Sequence, residues 1–148
     1  MSLQGKVALV TGASRGIGKA IAQQLASQGA TVIGTATTAS GAEAITAYLQ
    51  AMDAKGAGMA LNVTDVSALD GFLAQVQADF GAPVILVNNA GITRDGLLLR
   101  MKEDDWDAVI STNLSAIFRL SKACLKGMSK ARWGRIINIS SVVGAMGN

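Results

Sequence analysis

The stretch that decides the fold of this chain is Thr11-Gly12-Ala13-Ser14-Arg15-Gly16-Ile17-Gly18. It follows the apolar run Val7–Val10, which predicts a short buried strand. It precedes apolar residues that recur at helical spacing from Lys19 to Gln28. A glycine-rich turn between a strand and a helix is typical of a phosphate site, because the N–H groups and dipole of the first helical turn face an anion. The stretch therefore predicts a nucleotide cofactor and, with it, redox chemistry.

Each glycine of this turn has a separate predicted role. Gly12 permits the tight turn, Gly16 lets the backbone approach a ligand, and Gly18 lets helix and strand pack closely. The spacing Gly-x-x-x-Gly-x-Gly differs from the better-known Gly-x-Gly-x-x-Gly fingerprint, so by itself it leaves cofactor binding open. A phosphate loop of nucleoside triphosphatases is excluded, because Ala13 and Ala20 stand where that loop needs a glycine and a serine or threonine.

Composition indicates one globular domain of small residues. Half of the 148 residues are apolar, 4% are aromatic and 17 are glycine. The one cysteine, Cys124, lies on an apolar helical pattern and is predicted to be a buried thiol. No leader pattern and no apolar run of membrane-spanning length is seen, so we expect a cytoplasmic protein that does not bind membranes. Nucleic acid is not expected as a partner, because no aromatic residues interleave with the basic ones. No metal site is expected, because the sequence has no histidine and no ligand cluster.

The order of predicted elements alternates strands with helices. The strands are Val7–Val10, Thr31–Thr35, Met59–Leu61, Val84–Val87 and Arg135–Ile139; the helices are Lys19–Gln28, Ser40–Met52, Val66–Phe80 and Glu103–Lys130. Thr64 or Asp65 is the expected cap of the third helix. Apolar strands joined by helices predict an α/β fold, a doubly wound parallel sheet covered on both faces, over residues 1–148. Its ligand is expected at the carboxyl ends of the strands.

Polar residues follow the second and third predicted strands. After the second strand no carboxylate is available for a ribose hydroxyl; Arg15, Thr37 and Thr38 suit a 2′-phosphate instead, which favours NADP over NAD. Asn62 follows the third strand, where either an adenine contact or a plain turn and helix cap explains it.

The fourth and fifth strands are followed by further polar residues. Asn88-Asn89-Ala90-Gly91 would let a ligand approach the backbone, although a tight turn explains it equally well. Ser140-Ser141 comes after the fifth strand. Asn113 lies inside the long helix, where an asparagine on a buried face needs hydrogen-bond partners.

Together these residues resemble the short-chain dehydrogenase/reductase family. The resemblance rests on Thr11-Gly12-x-x-x-Gly16-x-Gly18, Asn88-Asn89-Ala90-Gly91, Asn113 and Ser141. Longer matches resemble the bacterial branch that reduces 3-oxoacyl groups on acyl carrier protein; they are residues 11–18, 89–95, 134–139 and 141–144. The implied fold is a Rossmann fold, and the implied activity is reduction of that ketone by NADPH in fatty-acid biosynthesis.

The resemblance also implies site residues and partners. Ser141 would polarise the substrate carbonyl, and Asn113 would order a water that relays protons. The implied cofactor residues are Gly12, Ala13, Ser14, Arg15, Gly16, Ile17, Gly18, Thr37, Asn62, Val63, Asn89, Ala90 and Gly91. Lys126, Lys130 and Arg132 are a docking face for the acidic carrier or simply a solvated helix face. A homotetramer is implied in which the long helix packs against its mate. The apolar stripe Trp106, Val109, Ile110, Ile117 and Leu120 suits that contact, and an intrachain core equally well.

The sequence departs from the family pattern in one respect. The Tyr-x-x-x-Lys pair that follows the serine in the family is not among residues 1–148, and Tyr48 has no lysine four residues later. We therefore expect this chain to be inactive alone, to lack the last strands of the sheet, and to belong to a longer polypeptide rather than to be a genuine truncation. The alternatives are another member of the family with a different ketone or alcohol substrate, and a catalytically dead NADP-binding module.

Overall fold

The computed structural model describes residues 2–90 and 102–139. In chain order its elements are β1 (Val7–Val10), α1 (Gly16–Ser27), β2 (Thr31–Ala36), α2 (Ala39–Ala51), β3 (Gly56–Ala60), α3 (Val66–Asp79), β4 (Ile85–Asn88), α4 (Glu103–Ala131) and β5 (Arg135–Asn138). Strands alternate with helices throughout the described residues. The predicted α/β class is confirmed.

The strands form one parallel sheet in the order β3-β2-β1-β4-β5. Val10, the last residue of β1, pairs with Gly34 on one side and Val87 on the other. The chain crosses from one side of β1 to the other between β3 and β4, so the order reverses beside β1 and β4. Ligands of open α/β sheets bind at such a reversal, outside the carboxyl ends of the strands.

Helices cover both faces of the sheet, as predicted. Val7 and Leu9 of β1 point into a core shared with α3 and α4, whereas Ala8 and Val10 point into a core shared with α1 and α2. This alternation follows from the two-residue period of a strand. The α1 side is built from small residues, including Ala22 and Ala26, so α1 lies close to the sheet. The doubly wound arrangement is confirmed.

Two element boundaries differ from the sequence prediction by several residues, and the others by one at most. Helix α1 begins at Gly16 rather than Lys19, because the last glycines of the turn already form its first turn. Strand β3 begins at Gly56 rather than Met59. Glycine ordinarily favours turns, yet Gly56 and Gly58 lie inside this strand. Glycine is required at both positions, because a Cβ would collide with the backbone of Val32 at Gly56 and of Ala42 at Gly58.

Helix α4 buries one stripe of side chains against the sheet, namely Ala116, Leu120, Cys124 and Met128. Leu120 is therefore a core residue and not an interface residue. The prediction of a buried thiol at Cys124 is confirmed. The large apolar side chains that α4 exposes are Leu114, Phe118 and Leu125. These residues are not those of the stripe expected from spacing. Side chains three and four residues apart share a helix face, and the face that α4 buries is the one that contains Ala116.

No helix within residues 2–90 and 102–139 is both long enough and apolar enough to cross a lipid bilayer.

Candidate functional site

The glycine turn joins β1 to α1 at the point where the strand order reverses. Gly12 and Gly16 adopt φ angles of +63° and +60°, which L side chains rarely tolerate. A Cβ at Gly18 would overlap the carbonyl of Gly12, so helix and turn touch through backbone alone. A Cβ at Gly16, in contrast, would meet no atom within 4 Å. The turn is thus tightly packed at Gly18, whereas the space beside Gly16 is open.

A buried threonine ties this turn to the loop after β4. Thr11 is 1% exposed, and its hydroxyl accepts hydrogen bonds from the backbone N–H groups of Asn89 and Ala90, both at 3.0 Å. The same hydroxyl donates to the Val87 carbonyl at 3.3 Å. The Asn89 amide then donates to the Gly12 carbonyl at 3.0 Å. Thus the segments after β1 and β4, predicted separately, form one structure.

Strand β2 holds the turn from the other side. The Ala13 N–H donates to the Thr35 carbonyl at 2.8 Å, and the Gly12 N–H donates to the Thr35 hydroxyl at 3.3 Å. Thr35 is 1% exposed, so these bonds are shielded from water. The backbone of Gly12 and Ala13 is therefore held from β2 and from the loop after β4 at once.

The N-terminus of α1 keeps its donors free. Its cap residue Arg15 has extended backbone (φ −161°) and makes no side-chain cap hydrogen bond, and the first turn of the helix holds no acid. The first N–H groups of a helix have no partner within it, and together with its dipole they attract an anion. Among the described residues nothing accepts a hydrogen bond from the Ser14 N–H. The positive end of the α1 dipole and the open space beside Gly16 both suit a cofactor phosphate.

The junction between β2 and α2 offers hydroxyl groups and no acid. The Thr38 hydroxyl caps α2 by accepting the Gly41 N–H at 3.1 Å, and it lies 3.2 Å from the Ser40 hydroxyl. Thr37 is exposed and so is Arg15, at the start of α1. Gly41 brings α2 close to the turn, because a Cβ on it would lie 3.6 Å from the Ser14 Cβ. Thr38 is thus engaged as a cap, while Arg15 and Thr37 face solvent.

Asn62 forms the turn after β3. Its Oδ1 accepts hydrogen bonds from the Thr64 N–H at 3.0 Å and from the Thr64 hydroxyl at 2.7 Å. The plain-turn interpretation therefore accounts for its oxygen, and an adenine contact through its amide NH₂ stays a prediction. Asp65, and not Thr64, is the cap residue of α3, although its side chain makes no cap hydrogen bond. Val63 packs half-buried against the core beneath α3.

Two asparagines pair at the carboxyl ends of β4 and β5. The Asn88 amide donates to Asn138 Oδ1 at 2.9 Å. Asn88 is 4% exposed, and its Oδ1 is the buried side-chain oxygen that finds no donor within residues 2–90 and 102–139. A buried acceptor without a donor is costly, so we expect a further donor to Asn88 Oδ1 at the carboxyl end of β4.

Of the remaining predicted site residues, Asn113 lies on α4 and the other two lie outside the described residues. Asn113 is half-buried on α4 and precedes Ala116 and Leu120 by three and seven residues, which places it on the sheet-facing stripe. Gly91 and Ser141 lie outside the described residues. In the described part of the chain, no group of three or more histidine, cysteine or acidic residues is arranged to hold a metal.

The sequence analysis assigned no role in the site to three residues that build it: Thr11, Thr35 and Tyr48. A signal existed for the threonines, since each places a hydroxyl near the carboxyl end of a mostly apolar strand. Tyr48 had no local signal. It lies on α2, far along the chain from the turn, yet its hydroxyl donates to the Ala13 carbonyl at 2.8 Å.

Comparison with known proteins agrees with this geometry. The model of the short chain dehydrogenase family matches residues 6–148. The whole chain is 64% identical to the 3-oxoacyl-[acyl-carrier-protein] reductase FabG of Pseudomonas aeruginosa, of which it covers 60%. It is 63% identical to the FabG of Vibrio cholerae and 60% identical to that of Escherichia coli, covering 59% of each. The chain thus spans about 60% of the length of these relatives. It belongs to the short chain dehydrogenase family.

Proposed function

We propose that the protein carrying this chain reduces 3-oxoacyl groups on acyl carrier protein, with NADPH as the reductant. Membership of the family implies a nicotinamide cofactor. The observation that carries the proposal is the glycine turn at the strand reversal, open at Gly16 and held by Thr11, Thr35 and Asn89. The names of relatives at 60–64% identity over the whole chain supply the substrate.

The chain contributes the part of the site that binds the cofactor. The residues proposed to contact it are Gly12, Ala13, Ser14, Arg15, Gly16, Ile17, Gly18, Thr37, Asn62, Val63, Asn89, Ala90 and Gly91. The free N–H groups at the start of α1 suit its phosphates. When bound, NADPH would supply the hydride. The rigid backbone from Gly12 to Ala13 would keep the phosphates at a constant position relative to the sheet.

Preference for NADPH over NADH rests on Arg15 and Thr37. Both are exposed beside the turn, and residues 31–42 include no acid that would repel a phosphate. A guanidinium and a hydroxyl are good donors to a 2′-phosphate. An aspartate or glutamate at this junction would favour the ribose hydroxyl of NADH instead.

Ser141 and Asn113 are the proposed catalytic residues of this chain. The oxygen of a ketone gains negative charge as it is reduced, so a hydroxyl donor such as Ser141 would stabilise it. Asn113, on the sheet-facing stripe of α4, would hold a water that passes a proton toward the site.

The carrier protein is proposed to dock at the end of α4. Lys126, Lys130 and Arg132 are all exposed there, and Lys130 lies in the last helical turn. An acidic partner would be steered to this end by long-range attraction. A solvated helix face explains the same charges without a partner, so the docking face needs its own test.

A homotetramer is proposed as well, with α4 against a second copy of itself. Leu114 and Phe118 support it, because they are 60% and 64% exposed on one face of the helix. Residues four apart lie side by side on a helix, so the two side chains form one apolar patch.

The activity assay uses the purified full-length polypeptide and follows the loss of NADPH absorbance. We expect oxidation with 3-oxoacyl groups on acyl carrier protein and weaker oxidation with a small thioester mimic. Oxidation only with unrelated ketones would indicate a different substrate in the same family. NADPH binding without oxidation of any of these would identify a binding module and contradict the proposal.

The docking face is tested by Lys130→Glu combined with Arg132→Glu. We expect the KM for the carrier-bound substrate to rise about tenfold or more, and that for the mimic to stay the same. Lys55→Glu is the control, because Lys55 is exposed before β3 at the opposite edge of the sheet. Equal loss with both substrates would rule out the docking face.

A further inference from the structure

Tyr48 reaches the cofactor turn from α2. It is half-buried, and its hydroxyl donates to the Ala13 carbonyl at 2.8 Å. The Lys19 ammonium of α1 lies 5.4 Å from the centre of the Tyr48 ring, so the ring also contacts the helix that follows the turn. This hydrogen bond joins a side chain of α2 to a backbone carbonyl of the turn.

The hydrogen bond determines how the Ala13–Ser14 peptide is oriented. A peptide unit is planar and trans, so its carbonyl and N–H point in opposite directions. Tyr48 directs the Ala13 carbonyl toward α2, and the Ser14 N–H therefore points away from α2. That N–H has no acceptor among the described residues. Without the tyrosine hydroxyl, no other described group would hydrogen-bond to this peptide.

The preceding peptide is held in a different way. The Gly12 carbonyl accepts from Asn89, and the Ala13 N–H donates to Thr35. Asn89 and Thr35 thus anchor the Gly12–Ala13 peptide, and Tyr48 supplies the anchor for Ala13–Ser14. Burial raises the pKa of Tyr48 to about 12, so the hydroxyl remains protonated and able to donate throughout the neutral range.

We infer that Tyr48 is a positioning residue for the nicotinamide cofactor: by holding the Ala13 carbonyl, it aims the Ser14 N–H at a cofactor phosphate. The inference rests on the proposed function, since it needs the turn to bind NADPH. It assigns to α2 a part in phosphate binding that is separate from the exposed Arg15 and Thr37. Tyr48 acts through the backbone and does not touch the reacting atoms.

The test compares Tyr48→Phe with Thr46→Val in the full-length polypeptide. Tyr48→Phe keeps the ring and removes the hydroxyl. Thr46→Val also removes one hydroxyl from α2, but Thr46 accepts the Gly58 N–H at 2.9 Å, on the side of α2 that faces β3. We expect Tyr48→Phe to raise the NADPH dissociation constant about five- to tenfold, the value of one hydrogen bond. Thr46→Val should change it less than about twofold, although both variants lose stability in urea.

Hydrogen exchange at the Ser14 amide supplies a second readout. In the NADPH complex we expect exchange at Ser14 to be slow in the wild type, faster in Tyr48→Phe and unchanged in Thr46→Val. A merely structural tyrosine would lower stability without moving either the dissociation constant or the Ser14 exchange rate, and that result would overturn the inference alone. If the wild type itself failed to bind NADPH, the proposed function and this inference would both be wrong.

Discussion

At residue 18 any side chain larger than hydrogen would collide with the backbone of the turn. A Cβ there would overlap the Gly12 carbonyl and approach the Asn89 amide that donates to it. Backbone atoms cannot move aside as a flexible side chain can. Gly16 differs, because a Cβ there would point into open space and only its φ of +60° disfavours substitution. Glycines of one motif are therefore required for different physical reasons.

We predict that Gly18→Ala abolishes measurable NADPH binding and lowers the free energy of unfolding by about 2 kcal/mol or more. The added methyl would push the Gly12 carbonyl away from Asn89 and so open the contact between the turn and the loop after β4. Calorimetric titration with NADPH and urea unfolding measure the two effects.

Gly71→Ala is the matched control. Gly71 lies exposed in α3, and a Cβ there would meet nothing within 4 Å. Alanine is favoured over glycine in a helix interior, so this variant should gain about 0.5–1 kcal/mol and bind NADPH normally. Similar behaviour of the two variants would show that the close approach at Gly18 does not matter.

At the scale of elements, α4 packs its buried stripe into the core that it shares with α3 and one face of β1. Cys124 lies on that stripe at 3% exposure. Burial raises the pKa of its thiol from 9.0 to about 11, because the thiolate would lose its hydration. In the unfolded chain the thiol ionises near its ordinary value. The stability of the fold is therefore linked to pH on the alkaline side.

We predict that the free energy of unfolding falls between about pH 9 and pH 11. Below that range both states hold the proton and the stability is complete. Within it the unfolded state releases a proton that the folded state keeps, so the unfolded state is favoured as pH rises. Urea unfolding at a series of pH values measures the slope.

Cys124→Ala should flatten this slope, even though the variant is less stable at neutral pH because it leaves a small cavity. Tyr48, whose pKa is raised from 10.0 to about 12, accounts for a further decline between about pH 10 and pH 12 that the variant retains. An unchanged slope between pH 9 and pH 11 in Cys124→Ala would mean that the thiol is not the group responsible.

Local patterns predicted the identity of the elements better than their bounds. The apolar run of β1 is visible in the sequence because both faces of this strand are buried, whereas the buried stripe of α4 differs from the one that spacing predicted. The start of β3 was not visible in the sequence, since Gly56 and Gly58 look like turn residues. Only the close approach of β2 at Gly56 and of α2 at Gly58 shows why the strand needs glycine at these positions.

At the scale of the whole molecule, the large apolar side chains exposed in the described residues include neighbouring pairs on β5 and on α4. Ile136 and Ile137 of β5 are 37% and 43% exposed at one edge of the described sheet. Leu114 and Phe118 of α4 are more exposed still. Apolar patches of this kind commonly mark contacts with other chain segments or subunits. The α4 patch is the one that the proposed tetramer would cover.

We predict that Phe118→Glu in the full-length polypeptide converts the proposed tetramer into smaller species, because a carboxylate would be buried against apolar side chains. Sedimentation velocity measures the change in mass. Val66→Glu is the control, since Val66 is 52% exposed at the start of α3, where an acid is compatible with the helix dipole. A tetramer unaffected by Phe118→Glu would place the interface elsewhere.

The sequence by itself determined the parallel α/β class, the order of the elements and the position of the glycine turn. These features depend on short-range patterns of apolar residues and on the backbone freedom of glycine, both of which are local. The tertiary structure alone decided how the turn is held, through Thr11 to the loop after β4, Thr35 from β2 and Tyr48 from α2. Such hydrogen bonds join residues far apart in the chain. They follow from the distance between packed elements, which no local pattern of residues specifies.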